Sequence, residues 1–150
     1  MLTFYHGSPF AQKIMGGGID LGFRRTSDPG DFGWGFYLTN SLNRAKNYGQ
    51  VLQVTIDDRL YARIPNPYFL DRLQVLSPET PEEHLFYDLA FDPVTGEMLT
   101  VTGPQREAIC KRIREVFLQH GYAGIVTDLH DQETVVFDPG SIIRLTSSHG

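Results

Sequence analysis

Gly33-Trp34-Gly35-Phe36-Tyr37-Leu38-Thr39 is followed directly by Asn40-Ser41 and then by Leu42-Asn43-Arg44-Ala45-Lys46-Asn47-Tyr48-Gly49. The glycines mark a tight turn, and Phe36 to Thr39 is an apolar, β-prone run, so the first half reads as a turn entering a strand with Phe36 and Tyr37 on opposite faces. Asn40 or Ser41 caps a short helix over Leu42 to Tyr48, and Gly49 stands at the expected C-terminal position. A strand thus runs straight into a helix in the first third of the chain. Working outward, Val51 to Ile56 alternates as a strand, and Thr3 to His6 reads as a short strand ending at Gly7-Ser8-Pro9. Residues 10 to 33 carry Gly16-Gly17-Gly18, Gly22 and Ser27-Asp28-Pro29-Gly30, and read as a long loop with at most one helical turn.

Downstream, Tyr68 to Leu76 is expected to be helical. Thr80-Pro81-Glu82-Glu83 is a capping-box signature with proline at the first helical position, opening a helix over Glu82 to Phe91. Gln105 to His120 is the clearest helix, with Ile109, Ile113, Val116 and Phe117 at helical spacing and Gly121 after it. Strands are expected at Gly124 to Thr127, Glu133 to Phe137 and Ser141 to Leu145. The fold class is therefore α+β, with strands at both ends and helices between them. At 150 residues, without repeat, linker or low-complexity tract, the chain reads as one domain over 1–150.

Composition narrows the function. Hydrophobic residues make up 41% and charged residues 21%, which excludes a disordered or collagen-like chain. No uncharged apolar run is long enough to cross a bilayer and no secretory signal is visible, so a cytoplasmic protein without membrane partners is expected. The single cysteine, Cys110, fits a reducing compartment and excludes multi-thiolate metal sites. A formal charge of −5 with no Lys/Arg run argues against extended, nonspecific nucleic-acid binding. The five histidines show no HExxH or paired-ligand spacing, so no metal is expected, and there is no G-x-S-x-G elbow.

Four features can carry chemistry. His6 ends a strand beside Gly7, where a ligand can approach the backbone. Tyr37 and Tyr48 can wall a slot for a flat ring, and a cationic ring such as the nicotinamide of NAD strengthens the stacking. Glu133 opens Glu133-Thr134-Val135-Val136-Phe137-Asp138, where a carboxylate can stabilise an oxocarbenium ion at a cleaving glycosidic carbon. Asp131, two residues earlier, shares a face with Glu133 if the strand starts early, and is the acceptor-side candidate for activating a nucleophile. The plainer readings are an exposed histidine, a tight turn and solvated strand ends.

Taken in order, Tyr5-His6-Gly7-Ser8, Gly33-Trp34-Gly35-Phe36-Tyr37 with Tyr48 eleven residues on, and Glu133-Thr134-Val135-Val136-Phe137-Asp138 resemble the ADP-ribosyltransferase superfamily. The resemblance is to its His-Tyr-Glu branch, which includes diphtheria toxin and the poly(ADP-ribose) polymerases. Asp31 to Thr39 is also similar to small bacterial members, many of them toxins or effectors. The resemblance implies a split two-sheet α+β fold with NAD as cosubstrate in the cleft between the sheets. It implies His6 on a ribose hydroxyl, the Gly7 backbone on the nicotinamide carboxamide, Tyr37 and Tyr48 around the nicotinamide ring, and Glu133 on the ribose 2′-hydroxyl. Arg24 and Arg25 are candidates for the pyrophosphate. Where the polymerases place a serine three residues before the second tyrosine, this chain has Ala45, which leaves the carboxamide to Gly7 alone or with Ser8 or a water.

The implied activity is mono-ADP-ribosylation of a protein, nucleic acid or small molecule, with nicotinamide released. Implied alternatives are an NAD glycohydrolase and a noncatalytic NAD- or ADP-ribose-binding module. A related RNA 2′-phosphotransferase fits less well, because that family uses Arg and His pairs. Analogy with the bacterial toxins implies a neutralising antitoxin or immunity partner, and action in the cytoplasm or in the cytosol of a target cell.

Overall fold

A computed structural model describes residues 1–19, 30–69, 78–101 and 104–147. The order of elements is β1 (Leu2–Ser8), α1 (Ala11–Gly17), β2 (Phe36–Leu38), α2 (Leu42–Lys46), β3 (Gln50–Ile56), β4 (Ala62–Arg63), α3 (Pro81–Ala90), α4 (Arg106–Gln119), β5 (Gly124–Val126), β6 (Thr134–Val136) and β7 (Ile142–Ser147). Short 3-10 turns lie at Asp58–Leu60, Pro67–Phe69 and Pro139–Ser141. The protein is mixed α+β with two sheets, as the element pattern predicts.

One sheet has the order β1-β3-β7 and the other β2-β6-β5-β4. All pairs are antiparallel except β4 with β5. A cluster containing Phe4, Leu52, Val54 and Ile56 of the first sheet and Phe36, Leu38, Val126 and Val136 of the second joins them. Among the described residues the backbones meet at a bridge where Tyr5 N–H donates to the Thr39 carbonyl at 2.8 Å and Thr39 N–H donates to the Tyr5 carbonyl at 3.0 Å. A second cluster, with Ile64, Phe86, Phe91, Ile113, Phe117, Ile125, Val135 and Phe137, seats α3 and α4 on the second sheet. Burying such side chains is the main favourable term, about 25 cal/mol per Å² of apolar surface.

Glycine permits the close approach of β2 to β6. A Cβ on Gly35 would lie 2.5 Å from both Val135 Cγ2 and the Val136 carbonyl oxygen. The helix ends follow their sequence signals. Ser41 accepts from Arg44 N–H at 3.2 Å, which selects Ser41 over Asn40 as the cap of α2. Thr80 caps α3 by accepting from Glu83 N–H at 3.2 Å, and Glu83 accepts from Glu79 N–H at 3.4 Å.

Several boundaries depart from the sequence reading. The Gly-rich segment after Pro9 contains a seven-residue helix, α1, because Ala11 to Met15 are competent helix residues and the glycines come only at its end. Its termination coincides with Gly18 at φ +83°. The expected helix from Tyr68 to Leu76 begins in the 3-10 turn Pro67–Phe69, and residues 70–77 lie outside the described residues. Strand β4, two residues long, has no periodicity to reveal it. Strand β6 starts at Thr134, so Asp131 and Glu133 belong to a turn and not to an early strand face.

Tyr122 after α4 donates its hydroxyl to Glu82 in the first turn of α3 at 2.7 Å. This bond, chiefly, holds the Glu82 carboxyl below its ordinary value of 4.5. A depressed folded value means the bond's stabilisation is complete above 4.5 and is lost as pH falls through the folded value. Glu82→Gln is therefore expected to flatten the acid limb of stability. Urea unfolding of both proteins, at neutral pH and on the acid side of that value, checks it.

Candidate active site

One cleft gathers most of the residues singled out in the sequence. It measures about 370 Å³ and is lined on the first-sheet side by Tyr5, His6 and Gly7, on the second by Tyr37, Leu38 and Thr39. Arg44, Ala45 and Tyr48 come from α2 and the turn after it, Asp131 and Glu133 from the turn before β6, and Gly30, Asp31 and Tyr68 close the rim. This is the size range of small-molecule sites.

His6 is held by two contacts. Its ring stacks on Phe36 with centroids 3.9 Å apart. Its Nδ1 lies 2.6 Å from the Tyr37 carbonyl oxygen, which can only accept, so Nδ1 is the donor of this bond. Gly7 has a steric role: a Cβ there would stand 1.7 Å from the Ala45 carbonyl oxygen. The backbone of α2 lies directly on β1 at this point. Ala45 is buried beneath it and packs α2 against β1.

Tyr37 is fixed at its far end. Its hydroxyl donates to the Gly33 carbonyl at 2.7 Å and accepts from Phe32 N–H at 2.9 Å. A side chain on Gly30 would strike the Tyr37 ring at 2.4 Å, so residues 30–33 wrap this phenol closely. Tyr48 stands at the rim with 59% of its surface exposed, available as the outer wall of a ring slot.

The turn before β6 holds the acidic pair. Gln132 between them has φ +46°, in the left-handed region that non-glycine residues rarely adopt. Asp131 forms an ion pair with Arg44 of α2. Its carboxylate is thus engaged with a cation across the cleft, while Glu133 remains on the lining beside it.

Three further lining residues were not anticipated in the sequence. Arg44 lies four residues before Tyr48 and could have been found from that spacing. Asp31 adjoins the glycine block. Tyr68 has no local signal. The Tyr68 hydroxyl donates to Asp31 at 2.9 Å, and Arg106 approaches the same carboxylate at 3.7 Å. Burial, above all, and then the negative charge of Asp31 push the Tyr68 phenol well above its ordinary value, with a smaller effect from Glu133. Tyr68 is therefore a neutral hydrogen-bond donor at working pH.

One expected ligand contact, Ser8, falls elsewhere. Ser8 is buried and accepts from Phe10 N–H at 3.0 Å, and it does not line the cleft. Arg24 and Arg25 lie outside the described residues. Cys110 is buried in α4 and donates to the Gly30 carbonyl at 3.0 Å, a packing role behind the cleft. Among the described residues, no group of three or more His, Cys, Asp or Glu is placed to hold a metal ion, and no helix is long and apolar enough to cross a membrane. Compared with known proteins, the chain matches no family model, no curated protein and no solved structure.

Proposed function

We propose that the chain is a mono-ADP-ribosyltransferase that cleaves NAD, with the two sheets forming the split sandwich of that superfamily. The observation that carries this reading is the convergence of His6, Gly7, Tyr37, Tyr48 and Glu133 on one cleft from three separate parts of the chain. NAD is a substrate here, and the residues suit its parts. The carboxamide meets backbone at Gly7, the cationic ring lies against Tyr37 and Tyr48, and a ribose hydroxyl meets His6.

The reaction is a dissociative substitution at the ribose C1. The C1–N bond breaks, and its electron pair returns to the pyridinium ring, which leaves as neutral nicotinamide. The positive charge then rests on the ribose, where the Glu133 carboxylate offsets it and hydrogen-bonds the 2′-hydroxyl. An acceptor N–H or O–H attacks C1 and loses its proton. The ion pair to Arg44 makes Asp131 a weaker candidate for taking that proton than the sequence suggests, because an adjacent cation lowers carboxylate basicity. A noncatalytic binding module has no need for the carboxylate at this place.

Incubation with NAD labelled in the adenylate half, with and without cell lysate, tests the transfer. Label is expected to appear on lysate macromolecules or small molecules. Label recovered only as free ADP-ribose would favour a glycohydrolase, and intact NAD in every sample would remove the proposal.

A further inference from the structure

The ladder of β6 with its neighbours begins at Thr134, opposite Leu38 on one side and Val126 on the other. The carbonyls of Asp131, Gln132 and Glu133 precede that ladder, yet each is bound by a threonine hydroxyl. Thr39 Oγ1 donates to the Asp131 carbonyl at 3.0 Å. Thr134 Oγ1 donates to the Gln132 carbonyl at 2.9 Å. Thr127 Oγ1 donates to the Glu133 carbonyl at 2.7 Å. Thr127 and Thr134 are wholly buried and Thr39 is nearly so. They come from the ends of three adjacent strands, β2, β5 and β6.

Other bonds point the same way. Asn40 N–H adds a second donor to the Asp131 carbonyl at 2.9 Å, Gln132 N–H donates to Leu129 at 2.7 Å, and Asn40 Nδ2 donates to Gln132 Oε1 at 3.2 Å. This set over-determines the turn and sustains the left-handed Gln132, a conformation that persists only where the surroundings enforce it. A strand continued through Glu133 would bind these carbonyls to neighbouring backbone; here a threonine hydroxyl binds each of the three, and the Asp131 carbonyl takes the Asn40 backbone N–H as well.

We propose that Thr39, Thr127 and Thr134 form a clamp whose role is to position Glu133, with Thr127 as its principal positioning residue. The inference rests on the NAD-cleaving reading for its kinetic consequence, but the clamp itself is testable without it. Thr127 and Thr134 do not line the cleft, so they act through Glu133 and not through contact with a ligand. A carboxylate displaced by about 1 Å from its productive place costs about 100-fold in rate.

The test uses Thr127→Val, which keeps the shape and removes the hydroxyl, Thr127→Ser, which restores it, and Ser141→Ala as a comparison. Ser141 is also buried and hydrogen-bonded, to Tyr61 at 2.7 Å, but does not line the cleft. Nicotinamide release from NAD gives kcat and KM, and hydrogen exchange by mass spectrometry reports on the peptide covering residues 128–134. Thr127→Val is expected to lower kcat about 100-fold with KM for NAD unchanged and to speed exchange in that peptide, with both effects reversed in Thr127→Ser and absent in Ser141→Ala. Unchanged kcat in Thr127→Val, or a rise in KM alone, would overturn the positioning role. Unchanged exchange would overturn the clamp. Should the wild-type chain release no nicotinamide, the NAD reading falls, and the exchange comparison still decides whether the threonines hold the turn.

Discussion

Glu133→Gln is expected to slow nicotinamide release at saturating NAD by about 100- to 1,000-fold, the usual cost of removing one group aimed at charge that develops in the transition state. Glutamine keeps the length of the side chain and one acceptor oxygen, so it can still meet a ribose hydroxyl. What it lacks is the negative charge, and that charge matters only once the glycosidic bond has begun to break. The loss therefore belongs in kcat, with little change in KM. Thermal stability should stay at the wild-type value, because Glu133 is fixed through its main-chain carbonyl by Thr127 and the substitution leaves that bond intact. A rise in KM together with a fall in stability would assign Glu133 a structural role. Comparison of steady-state rates with the melting curve of each protein separates the two.

The second large effect is expected at Gly7. Alanine there places a methyl group 1.7 Å from the Ala45 carbonyl oxygen, where both partners are backbone and neither can rotate away. α2 must lift from β1. Overpacking of this kind costs about 3 kcal/mol. For a chain of this size that corresponds to a fall of about 6–12 °C in Tm. The functional loss is expected to exceed the loss of stability, because α2 carries Arg44 and leads into Tyr48, two residues of the cleft wall. Calorimetric titration with NAD at a temperature where the variant remains folded measures this. The affinity is expected to fall well below wild type even for the folded fraction. Wild-type affinity in a folded Gly7→Ala protein would show that α2 contributes nothing to NAD binding.

Much of the frame was legible because its signals are local. Ser41 and Thr80 announce α2 and α3 through caps, and α4 through the spacing of Ile109, Ile113 and Phe117. The alternation of Val51 to Ile56 announces β3. His6, Gly7, Tyr37, Tyr48 and Glu133 were legible as a set from motif order, and the structure places all five on one cleft. What was not legible depends on tertiary contact. β4 exists because Ala62 and Arg63 find Ile125 and Val126 beside them. The early end of β6 coincides with hydroxyl groups bound to the carbonyls of residues 131–133, and nothing in a β-rich sequence marks where side chains join a ladder. The engagement of Asp131 by Arg44, 87 residues away in the chain, is equally silent. So is Tyr68, which reaches Asp31 across 37 residues.

The cleft is proposed to break the bond between nicotinamide and ribose. Purified wild-type protein incubated with NAD, with free nicotinamide followed by chromatography in the presence and absence of cell lysate, tests it most directly. Nicotinamide release is expected to grow with time and with enzyme concentration and to collapse in Glu133→Gln. No release under either condition, or release that is the same in Glu133→Gln, would contradict it.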